Sequence, residues 1–365
     1  MCRTVSFGLL VTIFCCGAAQ AEGISEAIVG PSAKAKNAWC YELKGAYDDV
    51  HLRDINNNST IVGYKPHGSF VSVMLQNGTF TEIGRMGALS YRDYDQPNGI
   101  NNDDVVVGYG NSASGSSVTG YVWDNGQSFL APGGKGGTNY VDINDQGVII
   151  GVSQAGGHAR EGNLIKVTRS ANNVFRTEDL TSRLSLPVLA VEPYKINNNN
   201  VVIGRFVYRD TQGAIRGRSG YVDLDDANLT VQFINNFSPR AINDMNEMAD
   251  VTARGFVVWY SGQVHELGFL PGGSAGGNPD INNHGDVVGG SLHANSVDQY
   301  DFHGVLFRSG QAYDLNDLMC EPLPSDQWIF YAFKISDKRE ILAYLKMSSG
   351  ESKSAYLKPR TLQKR

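Results

Sequence analysis

One pattern of apolar and polar residues recurs seven times along the chain. In each copy an isoleucine and a polar residue, usually asparagine, precede a short polar stretch, and aliphatic residues then lead to a small residue. The copies begin at Ile55, Ile100, Ile143, Ile196, Ile242, Ile281 and Ile335. Their isoleucines are 39 to 54 residues apart. This period is typical of a propeller blade and is about twice that of a leucine-rich or β-helical coil.

A second pattern inside the period predicts a hairpin. An aromatic residue or leucine stands two positions before Asn-Gly or Ser-Gly in residues 75–78, 123–126, 259–262 and 307–310, and another apolar stretch follows. These dipeptides supply the positive φ that two-residue turns need. Together with the Ile-Asn turn, they predict four strands in each period. We name them A, which ends at Ile-Asn, and then B, C and D in chain order.

The aliphatic residues of the B strands do not alternate with polar ones. They read Val-Val-Val at 105–107, Val-Ile-Ile at 148–150 and Val-Val-Ile at 201–203, so both faces of these strands are expected to be buried. Blades stacked around a ring bury both faces, whereas a two-sheet sandwich buries one and leaves an alternating pattern. The sequence therefore predicts an all-β fold, a seven-bladed β-propeller of four-stranded antiparallel blades.

The two ends of the chain each supply part of the seventh blade. Residues 355–359 align with a C strand, but the residues after them form no apolar D strand. Residues 39–43 precede the first repeat and resemble a D strand such as 264–267. We therefore expect the N-terminal strand to close the ring, with the propeller at 39–359 and a basic tail at 360–365.

The first 21 residues have the features of a secretory signal peptide. An arginine provides the positive start, residues 5–14 are mostly apolar but too few to span a bilayer, and a small-x-small site predicts cleavage between Ala21 and Glu22. A lipoprotein signal acylated at Cys16 is the less favoured alternative, because a bulky aromatic residue stands close before it. We expect a secreted or periplasmic protein with a lead-in at 22–38.

Cysteine usage and charge narrow the classes of partner. Three of the five cysteines lie in the signal peptide, which leaves Cys40 and Cys320 in the mature chain. In an oxidising compartment we expect these two to form a disulfide that reinforces ring closure. Lys and Arg number 31 against 37 Asp and Glu, which argues against a nucleic-acid partner. No later apolar run has the length of a transmembrane helix.

No metal site and no cofactor are expected. The seven histidines are scattered, without His-x-x-x-His spacing, and no Cys-x-x-Cys occurs. The phrases that begin at Asp142 and Asp280 imitate the start of a calcium loop, but Ser153 and Ser291 stand where a bidentate glutamate is needed. We expect a monomer without bound metal.

The repeated phrases resemble those of the bacterial extracellular HAF-repeat proteins. The likeness rests on Ile-Asn-x-x-Gly-x-Val-Val-Gly, on Leu-Pro-Gly-Gly at 270–273 and on Asp-Leu-Asn-Asp-Leu at 314–318. This chain departs from the pattern at Asp250 and Ser336, and the family's His-Ala-Phe survives only in altered form, for example at 302–305. The resemblance implies secretion and repeat architecture, and it carries no catalytic residues.

The repeated asparagines are expected to be structural, because asparagine beside a tight turn hydrogen-bonds its own backbone. In an up-and-down blade the A–B and C–D turns share one face, and the B–C and D–A loops share the other. The second set of loops varies between blades and carries aromatic and charged residues, as binding surfaces do. The candidate ligand-binding residues are Arg92, Tyr94, Asp95, Tyr140, Tyr194, Asp298, Tyr300 and Trp328.

Three functions fit this sequence. The favoured one is a module that binds an extracellular protein or glycan on the face with varied loops, without catalysis. The alternative is a glycan-active or other hydrolytic enzyme that uses a carboxylate pair drawn from Asp93, Asp95, Asp298 and Asp301. The third is a structural component of the cell envelope, which would have no aromatic cluster on either face.

Overall fold

The computed structural model describes residues 38–66, 70–83, 95–111, 118–130, 137–153, 160–170, 174–292 and 301–362. The expected signal peptide with its cleavage site, residues 22–37 of the lead-in and residues 363–365 of the tail lie outside these ranges. In the described ranges, no helix is long and apolar enough to cross a membrane.

Nearly all regular structure in these ranges is β-strand. Strand β1 (Trp39–Tyr47) comes first in the chain and belongs to the last blade. Blades 1 to 3 consist of β2 (His51–Ile55), β3 (Ile61–Lys65), β4 (Val71–Gln76), β5 (Thr79–Glu82), β6 (Asp95–Ile100), β7 (Val106–Asn111), β8 (Val118–Asp124), β9 (Gln127–Leu130), β10 (Thr138–Ile143), β11 (Ile149–Ser153), β12 (Asn163–Arg169) and β13 (Phe175–Asp179).

A short 3-10 helix (Thr181–Arg183) leads into blade 4. Blades 4 to 6 consist of β14 (Val188–Ile196), β15 (Val201–Arg209), β16 (Ile215–Asp223), β17 (Val231–Phe233), β18 (Ala241–Ile242), β19 (Met248–Thr252), β20 (Gly255–Tyr260), β21 (Gln263–Gly268), β22 (Gly276–Ile281), β23 (Val287–Leu292), β24 (Phe302–Arg308) and β25 (Gln311–Asp314). Blade 7 adds β26 (Gln327–Ile335), β27 (Ile341–Met347) and β28 (Ser352–Thr361).

The strands form seven four-stranded antiparallel sheets, so the prediction of a seven-bladed β-propeller is confirmed. Blades 1 to 6 each use four consecutive strands, and blade 7 has the order β26, β27, β28, β1. Strand β1 pairs antiparallel with β28 from Trp39 opposite Thr361 to Tyr47 opposite Ser354. The N-terminal strand therefore closes the ring as expected, and β28 continues beyond the expected end at Pro359.

The glycine that ends each of the first four repeats is required by the A strand beside it. The A strands of these blades contain a β-bulge, and the glycine lies directly against its backbone. A Cβ atom would stand 2.1 Å from the Gln96 carbonyl oxygen at Gly108 and 2.4 Å from that of His51 at Gly63. Real Cβ atoms do not approach so closely, and only glycine fits there.

Asp250 replaces this glycine in blade 5 without a clash. The A strand of that blade is only Ala241–Ile242, which leaves space beside β19. The Asp250 carboxylate fills the space and accepts a hydrogen bond from the Ser238 backbone N–H at 2.7 Å. Burial raises the pKa of Asp250, against the lowering effect of that hydrogen bond.

The core lies between neighbouring blades and is built mainly from the B and C strands. Consecutive residues of a B strand are both buried, as at Val106 and Val107 or at Ile149 and Ile150. The outer D strands are mostly exposed, and β5 has no buried residue. The absence of alternation in the B strands therefore does correspond to burial on both faces.

The Cys40–Cys320 disulfide is present, with 5.0 Å between the Cα atoms. After β25 the chain runs parallel to β1, and two backbone hydrogen bonds of 2.8 Å join Tyr41 to Leu318 and to Cys320. The disulfide and these two hydrogen bonds thus connect β1, a strand of blade 7, to the segment that follows blade 6.

Candidate functional site

The two faces of the ring differ in what they present. We call the face with the A–B and C–D turns the turn face and the face with the B–C and D–A loops the loop face. The A strands surround the central channel, which opens on the turn face into a cavity of about 170 Å³ lined by the ends of these strands. Each face is considered in turn.

The repeated asparagine holds its own A–B turn, as the sequence predicts. In blade 3 the Asn144 Oδ1 atom accepts hydrogen bonds from the backbone N–H groups of Gln146 at 3.1 Å and Val148 at 2.9 Å. The other blades that carry this asparagine repeat both bonds. The structural interpretation of this residue is therefore confirmed.

The same asparagines also join each blade to the next, which the sequence analysis missed. The Asn144 Nδ2 atom donates to the Asn197 carbonyl oxygen at 3.0 Å and to Asn200 Oδ1 at 2.9 Å. Six such bonds, each to the carbonyl of the next blade, join blades 1 to 7 in sequence. Blade 7 has Ser336 at this position, and no equivalent bond from Ser336 occurs among the described residues. We call this set of bonds the asparagine belt.

A second ring of side chains surrounds the channel mouth. Its members follow the repeated asparagine, or Ser336 in blade 7, and they alternate between amide and carboxylate around most of the ring. They are Asn57, Asn102, Asp145, Asn198, Asp244, Asn283 and Asp337. The backbone N–H of each donates to the side-chain oxygen of the next, and Asp337 N–H closes the circle on Asn57. The amides donate to the neighbouring carboxylates, so each Asp has partners on both sides.

A cluster of buried and half-buried charges lies just inside this mouth ring. Asp54, Asp142 and Asp280 each accept a hydrogen bond from the backbone N–H of an isoleucine in the following blade. Lys195 lies 3.3 Å from Asp142, and Lys334 lies 3.4 Å from Asp54. Burial would lower the pKa of Lys195, but the nearby carboxylates outweigh it and raise that pKa. These charges are paired and bonded to backbone, which indicates a role in holding blades together.

Two candidate residues for the loop face are buried instead. Tyr140 is 1% exposed and belongs to the core between blades 2 and 3, where its ring packs on Gly120. Asp95 is 4% exposed, and its backbone N–H donates to the Phe70 carbonyl oxygen. Both residues lie within A strands, at Asp95–Ile100 and Thr138–Ile143, whereas the sequence placed them in loops. Neither presents its side chain to a ligand at the surface.

Tyr194 and Trp328 are partly exposed but lie in different blades. Tyr194 occupies the bulge of β14, its ring lies 4.7 Å below the Arg240 guanidinium, and its hydroxyl donates to Glu192. Trp328 lies near the start of β26 in blade 7. The candidates Arg92, Tyr94, Asp298 and Tyr300 lie outside the described residues, as does Asp93.

Trp328 is part of a cluster of four aromatic side chains at the loop face of blades 6 and 7. Its Nε1–H donates to the Phe302 carbonyl oxygen at 3.1 Å. Phe302 stacks on Tyr331 at 5.0 Å, and Phe330 contacts both rings. We call Phe302, Trp328, Phe330 and Tyr331 the aromatic patch. All four are partly exposed, and none belongs to the apolar core clusters of the described chain.

The backbone below the patch is shaped to hold it. A Cβ atom at Gly290 would lie 2.2 Å from the Tyr331 ring, so the glycine provides the space that the ring occupies. The Lys346 ammonium lies 4.6 Å from the centre of the Phe330 ring and 5.6 Å from that of Trp328. The sequence analysis missed Phe302, Phe330 and Tyr331, although the run Trp328-Ile329-Phe330-Tyr331 was a visible signal.

His303 lies on the opposite face of the strand that carries Phe302. Its Nδ1 atom is 2.6 Å from Asp314 Oδ2, and its Nε2 atom is 3.9 Å from Asp301. Burial lowers the pKa of His303, but the hydrogen bond to Asp314 and the charges of Asp314, Asp301 and Asp317 outweigh it, so the pKa is raised.

The raised pKa makes a part of the stability dependent on pH. The imidazolium of His303 is favoured in the folded state, so its contribution is complete below the unfolded value of about 6.5 and is lost as the pH rises through the higher folded value. We expect His303→Gln to lower the free energy of unfolding most near pH ~5.5 and least near pH ~9. Urea unfolding across this range measures it, and a deficit that grows with pH would contradict the assignment.

The described ranges include only part of the carboxylate set considered for an enzyme. Of the four carboxylates considered for an enzyme, only Asp95 and Asp301 are described, and they lie in blade 2 and beside blade 6. No group of three or more His, Cys, Asp or Glu side chains in the described ranges could hold a metal ion.

The chain matches no protein-family model and no curated protein. Among solved structures it is similar to YCF48 bound to a D1 peptide, with 9% identity and a TM-score of 0.48 over 91% of this chain and 99% of that one. It is also similar to the SapL1 lectin in complex with alpha methyl fucoside, with 10% identity and a TM-score of 0.32 over 82% and 89%. It is also similar to an alpha-L-arabinofuranosidase from Podospora anserina in complex with cellotriose, with 10% identity and a TM-score of 0.29 over 91% of this chain and 94% of that one. At these identities the likeness concerns the fold alone.

Proposed function

We propose that this propeller is an extracytoplasmic module that binds a protein or glycan ligand on its loop face, without catalysis. The aromatic patch carries the proposal. Four partly exposed rings from two blades stand outside the core, and a lysine lies against two of them. Aromatic side chains with a polar rim supply large contact areas at low entropic cost, and they dominate binding hot spots.

The contrast between the two faces supports this choice of side. On the turn face the repeated polar side chains bond to one another and to the backbone of the next blade, which makes them part of the ring. The aromatic patch is drawn from blades 6 and 7, and its four residues do not belong to the repeated Ile-Asn phrase. A single binding site on a closed ring needs such blade-specific side chains.

The location and the family are inferred from the sequence. The signal-like first 21 residues and the HAF-type phrases point to export, and a disulfide between Cys40 and Cys320 fits an oxidising compartment. We infer that the mature chain begins at Glu22 and acts outside the cytoplasm as a monomer.

Screening the mature chain against a glycan array and a set of extracellular protein domains tests the proposal. We expect Trp328→Ala to retain the melting temperature and to weaken binding of any ligand found by about 1 to 3 kcal/mol. Surface plasmon resonance with both proteins measures the difference.

Tyr260→Ala is the matched control, because Tyr260 is an exposed aromatic residue, at 39% exposure, next to a C–D turn on the turn face. Its affinity for the same ligand should equal that of the unchanged protein. If Tyr260→Ala weakens binding and Trp328→Ala does not, the ligand binds the turn face and the proposal is wrong.

A further inference from the structure

The seam where the ring closes contains a cavity of about 580 Å³ on the turn-face side. Strands β1 and β28 of blade 7 form one wall, and the A–B and C–D turns of blade 1, together with Asp104 of blade 2, form the other. The cavity between blades 2 and 3 is smaller, at about 370 Å³. The seam cavity lies within the size range of small-molecule sites, about 300 to 1,000 Å³. It is also remote from the aromatic patch, which lies on the other face.

The polar groups on the blade 1 side of the cavity are held in fixed orientations. The Gln76 Nε2 atom donates to Thr60 Oγ1 at 3.1 Å and to Asp104 Oδ2 at 2.9 Å. The other oxygen of Asp104 accepts the Asn56 amide at 2.7 Å, which joins this wall to the asparagine belt. These groups are already ordered in the folded protein, so a ligand that binds them loses little affinity to their ordering.

The blade 7 side is fixed by a buried carboxylate behind it. Glu340 is 1% exposed, and its Oε1 atom accepts the Tyr356 hydroxyl at 2.9 Å and the Ser59 hydroxyl at 3.0 Å. Lys358 pairs with the same oxygen at 3.0 Å. The Glu340 Oε2 atom is buried and has no hydrogen-bond partner among the described residues. Three residues that line the cavity thus converge on one carboxylate.

The charge and shape of the lining select the class of ligand. The ammonium groups of Lys44 and Lys358 are paired with Glu42 and Glu340, so they offer little net charge to an ion. The Tyr47 and Tyr356 rings provide apolar surface, while amides such as that of Asn58 provide hydrogen bonds. Neutral hydroxyl groups on a ring with an apolar face match this combination. We propose that the seam cavity binds a neutral mono- or disaccharide.

Saturation-transfer NMR on the mature chain tests this with glucose, galactose, mannose, N-acetylglucosamine, maltose and cellobiose as probes. We expect transfer to at least one of these sugars. Asn58→Ala and Gln76→Ala should each weaken its binding at least fivefold in titration. Both side chains are exposed, so the fold should persist and a melting curve confirms it.

Asn199→Ala is the matched control. Asn199 occupies in blade 4 the turn position that Asn58 occupies in blade 1, and each amide donates to a backbone carbonyl of the next blade. Asn199 lines neither inter-blade cavity, so its replacement should leave sugar binding unchanged.

Three results would overturn the proposal: no transfer to any of the six sugars, unchanged affinity in both Asn58→Ala and Gln76→Ala, or equal loss in Asn199→Ala. Loss of sugar binding in Trp328→Ala, with retention in Gln76→Ala, would place the sugar on the loop face instead. Failure of the seam site would leave the loop-face proposal untouched, because that proposal is tested by Trp328→Ala and its own ligands.

Discussion

Deletion of residues 22–47 is expected to destabilise the whole ring, because it removes β1 from the seventh blade. Tyr41 is fully buried in the cluster that joins blades 6 and 7, and the deletion also removes Cys40 of the disulfide. Loss of one buried aromatic side chain alone costs about 3 to 5 kcal/mol, and the paired edge of β28 is lost with it. The total is comparable with the stability of an ordinary domain, about 5 to 15 kcal/mol.

Thermal unfolding followed by circular dichroism measures the effect. Deletion of residues 22–37 is the control, since it leaves β1 complete and should melt like the mature chain. The double variant Cys40→Ser, Cys320→Ser separates the disulfide from the strand and should lose less than about 5 kcal/mol. If the 22–47 deletion melts at the temperature of the 22–37 deletion, the N-terminal strand does not stabilise the ring.

A synthetic peptide of residues 38–48 provides a second readout of the same prediction. It should raise the melting temperature of the 22–47 deletion, because β28 presents an unpaired edge to which a strand can add. A peptide of the same composition in scrambled order should have no effect.

The ring itself could be predicted from sequence because each blade repeats the same local requirements. The Ile-Asn turn, the aliphatic B strand and the glycine opposite the A-strand bulge are all local features that recur with one period. Closure by β1 followed from a missing strand at one end and an extra one at the other. The disulfide could be predicted because only two cysteines follow the expected signal peptide.

The proposed binding face could be predicted from sequence only in part, because its composition depends on where the strands begin. Asp95 and Tyr140 resemble loop residues in the sequence, but each lies in an A strand and points into the structure. The aromatic patch joins residues from blades 6 and 7, whose contact is set by the ring rather than by sequence spacing. No local pattern states that Phe302 and Tyr331 touch.

The sequence contains a signal for the mouth ring that the sequence analysis missed. The repeat position that follows the asparagine changes between Asn and Asp in a regular way from blade to blade. In the ring, Asn198 lies between Asp145 and Asp244. An amide between two carboxylates donates to both, whereas three carboxylates in a row would repel one another. Such alternation at one repeat position indicates side chains that meet around an axis.

Replacement of Asn144 by Ala or Asp is expected to destabilise the ring strongly, because Asn144 is a member of the asparagine belt. Asn144 is 4% exposed and makes four hydrogen bonds, two within its own turn and two to blade 4. Alanine removes all four and leaves buried backbone groups without partners, which costs about 1 to 3 kcal/mol for each unsatisfied group. We expect a loss of at least about 3 kcal/mol.

The aspartate variant isolates the bonds between blades. It keeps an acceptor for Gln146 and Val148 but replaces the amide donor by a carboxylate that faces the Asn197 carbonyl oxygen and Asn200 Oδ1. Burial and the two facing acceptors raise the pKa of such a carboxylate against the lowering effect of the two N–H donors, and a raised folded pKa means that destabilisation is greatest at high pH. The deficit in Asn144→Asp should therefore shrink as the pH falls toward about 4, whereas that in Asn144→Ala should not show this recovery.

Replacement of Ser336 by Asn would supply the asparagine that blade 7 lacks in the asparagine belt. In blade 5, Asn243 donates both to Glu247 at 2.7 Å and to the carbonyl oxygen of Asn282 at 3.0 Å. Blade 7 has Ser336 and Glu340 at these two positions, and the Glu340 Oε2 atom lacks a partner among the described residues. Ser336→Asn should supply a donor to Glu340 and to the Asn56 carbonyl oxygen, with a gain of about 1 kcal/mol in the free energy of unfolding. Urea denaturation of the three variants decides the matter, and a Ser336→Asn protein less stable than the parent would show that the belt ends at blade 7 for a steric reason.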